Sequence, residues 1–141
     1  MLIIQEIKKA IYAKYNASTL FTVDHVPLYL DHVPNIKTYP IICLYPINSN
    51  QTMAMPSAIK TEGFDYSDGR WQFSIYGNDR NQVQLEDIAD RLETIFHRST
   101  LSTGNGVSHI ATISLNQSTL FFDQGLKIWT IRIDFRIIAG K

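Results

Sequence analysis

The side chains best suited to catalysis or metal binding lie in a four-residue motif that occurs twice, seven residues apart. Asp24-His25-Val26-Pro27 is followed by Asp31-His32-Val33-Pro34. Carboxylate oxygens and imidazole nitrogens both bind metal ions, so Asp24, His25, Asp31 and His32 raise the hypothesis of a metal-dependent enzyme. Alternatively, each proline simply imposes an extended or turn conformation on the preceding valine and leaves Asp and His in water. Because no third group of ligands follows at a fitting spacing, we favour this alternative and expect no metal or cofactor.

The remaining polar residues form no recognisable catalytic motif. The four histidines lie in no nucleophile elbow, zinc spacing or Cys-His arrangement. Walker and dinucleotide glycine patterns are absent, and no lysine follows the glycine pair at Gly104-Asn105-Gly106. Basic residues are scattered and do not alternate with aromatic residues as they do in single-strand binders. We therefore expect a binding or structural protein without catalytic residues, and not an enzyme.

Length, charge and cysteine content restrict the class further. The chain has 141 residues, of which 45% are apolar, and its 13 basic and 13 acidic residues give a net charge of zero. This length predicts a single domain over residues 1–141. Neutrality gives no electrostatic reason to bind nucleic acid or a membrane surface, and it does not oppose self-association. The single cysteine, Cys43, excludes an internal disulfide, and the first residues resemble neither a signal peptide nor a membrane span, so we expect a cytoplasm-like compartment.

A strand that runs directly into a helix forms the centre of the predicted fold. Trp71, Phe73 and Ile75 alternate with polar residues, which is the pattern of a strand with one buried face. After a turn at residues 77–79, apolar residues recur every three or four positions from Leu85 to Phe96, which predicts an amphipathic helix. The simplest way to bury both apolar surfaces is to pack the helix across the sheet.

The rest of the chain supplies one more helix and several more strands. The patterns predict a helix over residues 2–15 and a strand over 39–46 with a proline at each end. They also predict a strand over 59–66, which turns at 67–69 into the central strand, and a linker over 97–108. The C-terminal part is predicted to be a meander of strands over 109–115, 119–122 and 129–137, with turns at 116–118 and 123–125. We therefore predict an α+β fold, in which one twisted antiparallel or mixed sheet with a β-hairpin and a C-terminal β-meander carries two amphipathic helices on one face.

Two segments are predicted to contact other chains. Residues 48–58 form a predicted loop whose methionines, Met53 and Met55, can adapt to an irregular partner surface, although an ordinary flexible loop explains them equally well. The terminal strand places Arg132, Asp134 and Arg136 on the face opposite its apolar residues. Those charges either protect an exposed sheet or meet charges of another chain, so we assign all five residues as interface candidates.

The order of these elements resembles that of the tail terminator proteins of long-tailed bacteriophages, also called tail completion or head-tail joining proteins. The resemblance is carried by the N-terminal amphipathic helix, the proline-flanked strand at 39–46, the strand Trp71-Gln72-Phe73-Ser74-Ile75-Tyr76 with its following helix, and the Asp123-Gln124-Gly125 turn before a long terminal strand. It covers nearly the whole chain.

The resemblance implies a structural virion protein of the tail or neck that is assembled in the host cytoplasm. Such subunits form a ring, usually a hexamer, that caps the tail tube and joins the tail to the head connector. The implied partners are further copies of the chain, the tail tube protein and the connector. The alternative is a small ferredoxin-like ligand-binding or regulatory domain with a pocket between its sheet and helices, which would be a monomer or dimer.

Overall fold

The computed structural model describes residues 3–31, 39–52, 66–101 and 109–140. Within them, the elements in chain order are α1 (Ile3–Asn16), α2 (Thr19–Thr22), β1 (Leu28–Leu30), β2 (Ile41–Thr52), β3 (Tyr66–Gly77), α3 (Gln82–Phe96), β4 (Ser99–Leu101), β5 (His109–Gln117), β6 (Phe121–Asp123) and β7 (Ile128–Gly140). The strands form one mixed sheet of order β1-β2-β3-β7-β5-β4, with β6 beside β7. Only the β1–β2 pair is parallel in this part of the chain. The predicted α+β class with one mixed sheet is confirmed.

Three long strands form the centre of the sheet, and they correct one predicted turn and part of one predicted loop. β3 pairs with β7 from Tyr66↔Gly140 to Gly77↔Trp129 and with β2 along its other edge. Ser67-Asp68-Gly69 is therefore strand and not a turn, because both of its edges are paired. Residues 48–52 likewise belong to β2 and not to a loop, while Met53 and Met55 lie outside the described residues.

Pro46 was predicted to end its strand, but β2 continues through it. The register with β3 shifts between Pro46 and Asn48, which marks a β-bulge. The residue left out of the ladder is Ile47, directly after Pro46, and the irregularity beside a bulge is one of the places where a sheet accommodates a proline. Part of the predicted linker is also strand, since Ser99–Leu101 pairs with β5. In the meander, Asn116 and Gln117 extend β5 where a turn was predicted, because a second bulge between Ser114 and Asn116 lets them continue to pair with β7.

The hydrophobic core lies between one face of the sheet and the two long helices. α1 contributes Ile7, Ile11 and Tyr15, and α3 contributes an apolar stripe. The stripe consists of Leu85, Ile88, Ala89, Leu92 and Phe96. The sheet contributes alternate residues of its central strands, namely Ile42, Leu44, Trp71, Phe73, Ile75, Ile131, Ile133, Phe135 and Ile137. Both predicted helices therefore pack on the same face of the sheet, as expected.

An aromatic cluster joins α3 to this core. The ring of Phe73 lies 5.3 Å from that of Phe96 and 5.4 Å from that of Phe135, measured between ring centroids. The edge-to-face geometry of the second pair is a favourable arrangement for aromatic side chains. The turn that connects β3 to α3 requires a glycine at position 77, because a Cβ there would lie only 2.8 Å from the Cβ of Asn81.

Candidate interaction surface

The second face of the sheet carries different chemistry. In the described part of the chain no helix packs against it, and we call it the helix-free face. It is formed by the residues of the central strands that alternate with the core residues. They are Cys43, Tyr45, Asp68, Arg70, Gln72, Ser74, Tyr76, Thr130, Arg132, Asp134 and Arg136.

Two copies of an Asp-x-Arg sequence form the charged half of this face. Asp68-Gly69-Arg70 lies in β3 and Asp134-Phe135-Arg136 in β7, and the antiparallel register places the two arginines directly opposite each other. Like charges in that position destabilise a strand pair. Here each guanidinium is neutralised by the aspartate diagonal to it. Arg136 donates two hydrogen bonds to Asp68 at 2.6 and 2.9 Å, and Arg70 donates one to Asp134 at 2.7 Å.

A third arginine extends this row of charges toward β6. Arg132 Nη2 lies 3.8 Å from Asp123, and its guanidinium lies 5.2 Å from the centroid of the Phe121 ring. The side chains of the three arginines are 45–52% exposed, whereas those of their aspartate partners are 17–28% exposed. The surface that a partner would meet is therefore formed mainly by guanidinium groups, although the row is neutral in total.

The other half of the helix-free face is a concavity of about 400 Å³. It is lined by Asp31, Tyr39, Ile41, Cys43, Tyr45, Tyr76, Leu126 and Ile128. Burial raises the pKa of the Cys43 thiol to about 11, and nearby Asp31 adds to this effect. Burial also raises the pKa of the Tyr76 hydroxyl. Both groups are therefore neutral at pH 7, and the thiol is a weak nucleophile there.

A partly buried polar cluster lies in one wall of the concavity. Gln72 Nε2 donates hydrogen bonds to Tyr45 Oη at 2.7 Å and to Ser74 Oγ at 3.0 Å. Tyr45 Oη and Ser74 Oγ lie 3.3 Å apart. Because each member has a partner, the cluster fixes the orientation of the Tyr45 side chain without leaving a polar group unpaired.

The paired Asp-His motif is not assembled into a site by the described residues. Asp24 is bound by Arg91 of α3, and Asp31 is bound by Lys8 of α1 at 2.5 Å. His25 has a positive φ of 56°, and His32 lies outside the described residues. Within the described ranges, no three His, Cys, Asp or Glu side chains group together as metal ligands. The two aspartates serve here to attach the α2 and β1 segments to the long helices.

Three of the five interface candidates lie on the helix-free face. Arg132, Asp134 and Arg136 point away from the core, as predicted from the alternation in the last strand, and each is paired with a charge of the same chain. Whether they contact another chain stays a prediction. Sequence reasoning missed Asp68 and Arg70, the partners of Arg136 and Asp134. The repeated Asp-x-Arg pattern is visible in the sequence, but the strand register that pairs its two copies is not.

No helix in the described ranges is long and apolar enough to cross a membrane. No protein-family profile matches the chain, and neither does any curated protein sequence. Solved structures do match. A chain of the virion of a native gene transfer agent (GTA) particle is 13% identical, with a TM-score of 0.72 over 96% of this chain and 95% of that one.

A second solved structure, named only by an identifier, is 12% identical, with a TM-score of 0.69 over 98% of this chain and 96% of that one. Identities this low establish similarity of fold and not of residue roles. The coverage excludes a match of a single motif, since it extends over nearly the full length of both chains. The chain therefore has the fold of a component of the GTA virion.

Proposed function

We propose that this chain is a structural virion protein of a phage or phage-like particle, without catalytic activity. Within that class we propose a tail terminator, which forms a hexameric ring, caps the tail tube and joins the tail to the head connector. The observation that carries the proposal is the full-length similarity of fold to a chain of the GTA virion. The order of elements, which independently resembles that of tail terminators, supports the same class.

The chemistry of the helix-free face suits a structural role. It presents internally neutralised ion pairs beside a concavity. The Cys43 thiol and the Tyr76 hydroxyl, whose pKa values are raised by burial, are neutral at pH 7. Charged groups like those of the ion pairs contribute to the specificity and orientation of an interface more than to its raw affinity. A ring subunit needs such orientation, since each copy must meet the next at one fixed angle.

The first test is the solution mass of the purified chain over a concentration series, measured by light scattering on a sizing column and followed by negative-stain microscopy. A single species of about six subunits with a central channel is expected. The second is mass spectrometry of tailed particles from cells that encode the chain, where it should be present in a few copies per particle. Its absence from purified particles would contradict a virion role.

The concavity on the helix-free face supports a second candidate, a small-ligand-binding domain. Its volume of about 400 Å³ lies in the range of small-molecule sites. The predicted position of such a pocket, between sheet and helices, is filled by the core, so a ligand would bind on the opposite face. A compound screen by thermal shift tests this candidate, because a bound ligand raises the melting temperature by mass action. Any hit should be lost in Cys43→Phe, which fills the concavity.

A further inference from the structure

The outward side of α3 carries an acidic stripe. Glu86, Asp87 and Asp90 are exposed and lie opposite the apolar residues that pack on the sheet. Asp87 lies 3.5 Å from Arg91, one turn further along the helix. Within the described ranges, Glu86 and Asp90 have no cation at ion-pair distance. We call these three residues the acidic stripe.

A groove lies directly beside the acidic stripe. The groove has a volume of about 370 Å³ and runs between α3 and the β5–β6 connection. Glu86 and Asp90 form its helical wall, and residues 117–120 form the other. A long cationic side chain such as arginine can lie along such a groove and reach both carboxylates, with the polar residues of the connection as further acceptors.

The acidic stripe and the arginines of the helix-free face lie on opposite sides of the molecule. α3 packs on one face of the sheet, whereas Arg70, Arg132 and Arg136 extend from the other. One chain thus carries a surface of exposed carboxylates and another whose exposed groups are mainly guanidinium, because the aspartates of its ion pairs are more buried than the arginines. The two surfaces cannot meet within one copy. They can meet between copies, and the equal numbers of acidic and basic residues leave no net repulsion to oppose this.

We infer that copies of this chain bind one another head to tail, with the acidic stripe of one copy against the arginines of the helix-free face of the next. This inference rests on the proposed function, because it names the contact by which the ring would close. Since the two surfaces differ, the contact is heterologous, and repetition of it generates a ring if the rotation closes and a filament if it does not. Bidentate pairing of guanidinium with carboxylate would set the angle.

Charge reversal on each surface tests the contact. Variant A carries Glu86→Lys and Asp90→Lys, which replace exposed residues on a helix. Variant B carries Arg70→Glu and Arg132→Glu. Each variant alone brings like charges together, so its self-association should weaken at least about tenfold. A 1:1 mixture of A and B should assemble again, because the lysines of A meet the glutamates of B and the arginines of A meet the native stripe of B.

The measurement is sedimentation velocity at about 50 mM and about 500 mM NaCl, with circular dichroism melts to verify folding. Association of the native chain should weaken at the higher salt, since the screening length falls from over 10 Å to about 4 Å. Arg80→Glu, a single charge reversal of the same kind in the β3–α3 connection and away from both surfaces, is the control and should assemble like the native chain. If variant B fails to fold, Arg70→Gln with Arg132→Gln replaces it and should also weaken association.

Three outcomes would overturn the inference. Unchanged assembly of variant A would show that the acidic stripe is not in the contact, even if the native chain forms rings. Loss of assembly in A and B without recovery in their mixture would show that the two surfaces do not meet each other. A native chain that stays monomeric at low salt and high concentration would exclude self-docking by these surfaces, while its presence in purified particles would still support the virion role.

Discussion

The two faces of the central sheet are built from the same three strands, yet they have opposite characters. On the helix-covered face, Phe73 and Phe135 pack against Phe96 of α3 and are almost fully buried. Their direct neighbours in the sequence, Gln72, Asp134 and Arg136, face away from the helices. Strand geometry sends neighbouring residues to opposite faces, so one sequence segment can stabilise the fold and form a contact surface at the same time.

The energies on the two faces differ in size. Burial of a large apolar side chain contributes about 1.5–3 kcal/mol, whereas a half-exposed ion pair contributes about 0–1 kcal/mol. Substitutions on the helix-covered face should therefore reduce the free energy of unfolding, and those on the helix-free face should mainly change association. Variants that do the opposite would show that the division between the faces is wrong.

The largest effect is expected for Phe73→Ala. Phe73 lies at the centre of the aromatic cluster with Phe96 and Phe135, and its removal leaves a cavity under α3. We expect the free energy of unfolding to fall by about 3–5 kcal/mol, measured by urea denaturation. Arg132→Ala on the helix-free face is the matched control and should cost about 1 kcal/mol or less. Equal losses for the two variants would contradict the comparison.

The elements with strong periodicity were predictable from the sequence. Alternation around Trp71 and in the last strand predicted strands, and the apolar stripes of α1 and α3 predicted helices. In each case the pattern also predicted which side is buried, because apolar residues recur with the period of the element that buries them. Boundaries were less predictable. Residues 67–69 have turn chemistry, but pairing on both edges of β3 provides ladder hydrogen bonds that outweigh this local preference.

The candidate surface was predictable only in part. The outward charges of the last strand follow from alternation, but their partners depend on the register between β3 and β7, which lie about 65 residues apart in the chain. The concavity combines Tyr39, Tyr76 and Leu126 from three distant segments. Long-range arrangements of this kind leave no periodic signal in a single sequence. The same limit applies to Asp24 and Asp31, whose partners Arg91 and Lys8 lie on separate helices.

A second, smaller effect concerns pH and the concavity. The pKa of the Cys43 thiol is raised from 9.0 to about 11 by burial, so the folded state keeps its proton where the unfolded state loses it. Stability from this site is therefore complete below pH 9 and is lost as pH rises toward 11. We expect the native chain to lose on the order of 1–2 kcal/mol more than Cys43→Ala over this interval.

The measurement is denaturation of the native chain and of Cys43→Ala at several pH values. The difference between the two isolates the contribution of the thiol, because both proteins contain the same tyrosines, which titrate in the same pH range. Identical pH profiles would mean that the Cys43 side chain is as well hydrated in the folded state as in the unfolded one. The concavity would then be shallow and filled with water, and it would no longer support a small-ligand site on the helix-free face.

The smallest effect is expected for the Arg70–Asp134 pair. The two groups are 2.7 Å apart, but the arginine is 52% exposed, so water and salt screen the attraction. A double-mutant cycle with Arg70→Ala and Asp134→Ala should give a coupling energy of about 0.5–1 kcal/mol, which decreases at high salt. A coupling of several kcal/mol would mean that this pair is desolvated and supports the fold. The Arg70 guanidinium would then stabilise the fold and would not be available to bind another chain. The helix-free face would be a second stabilising layer and not a contact surface for a partner.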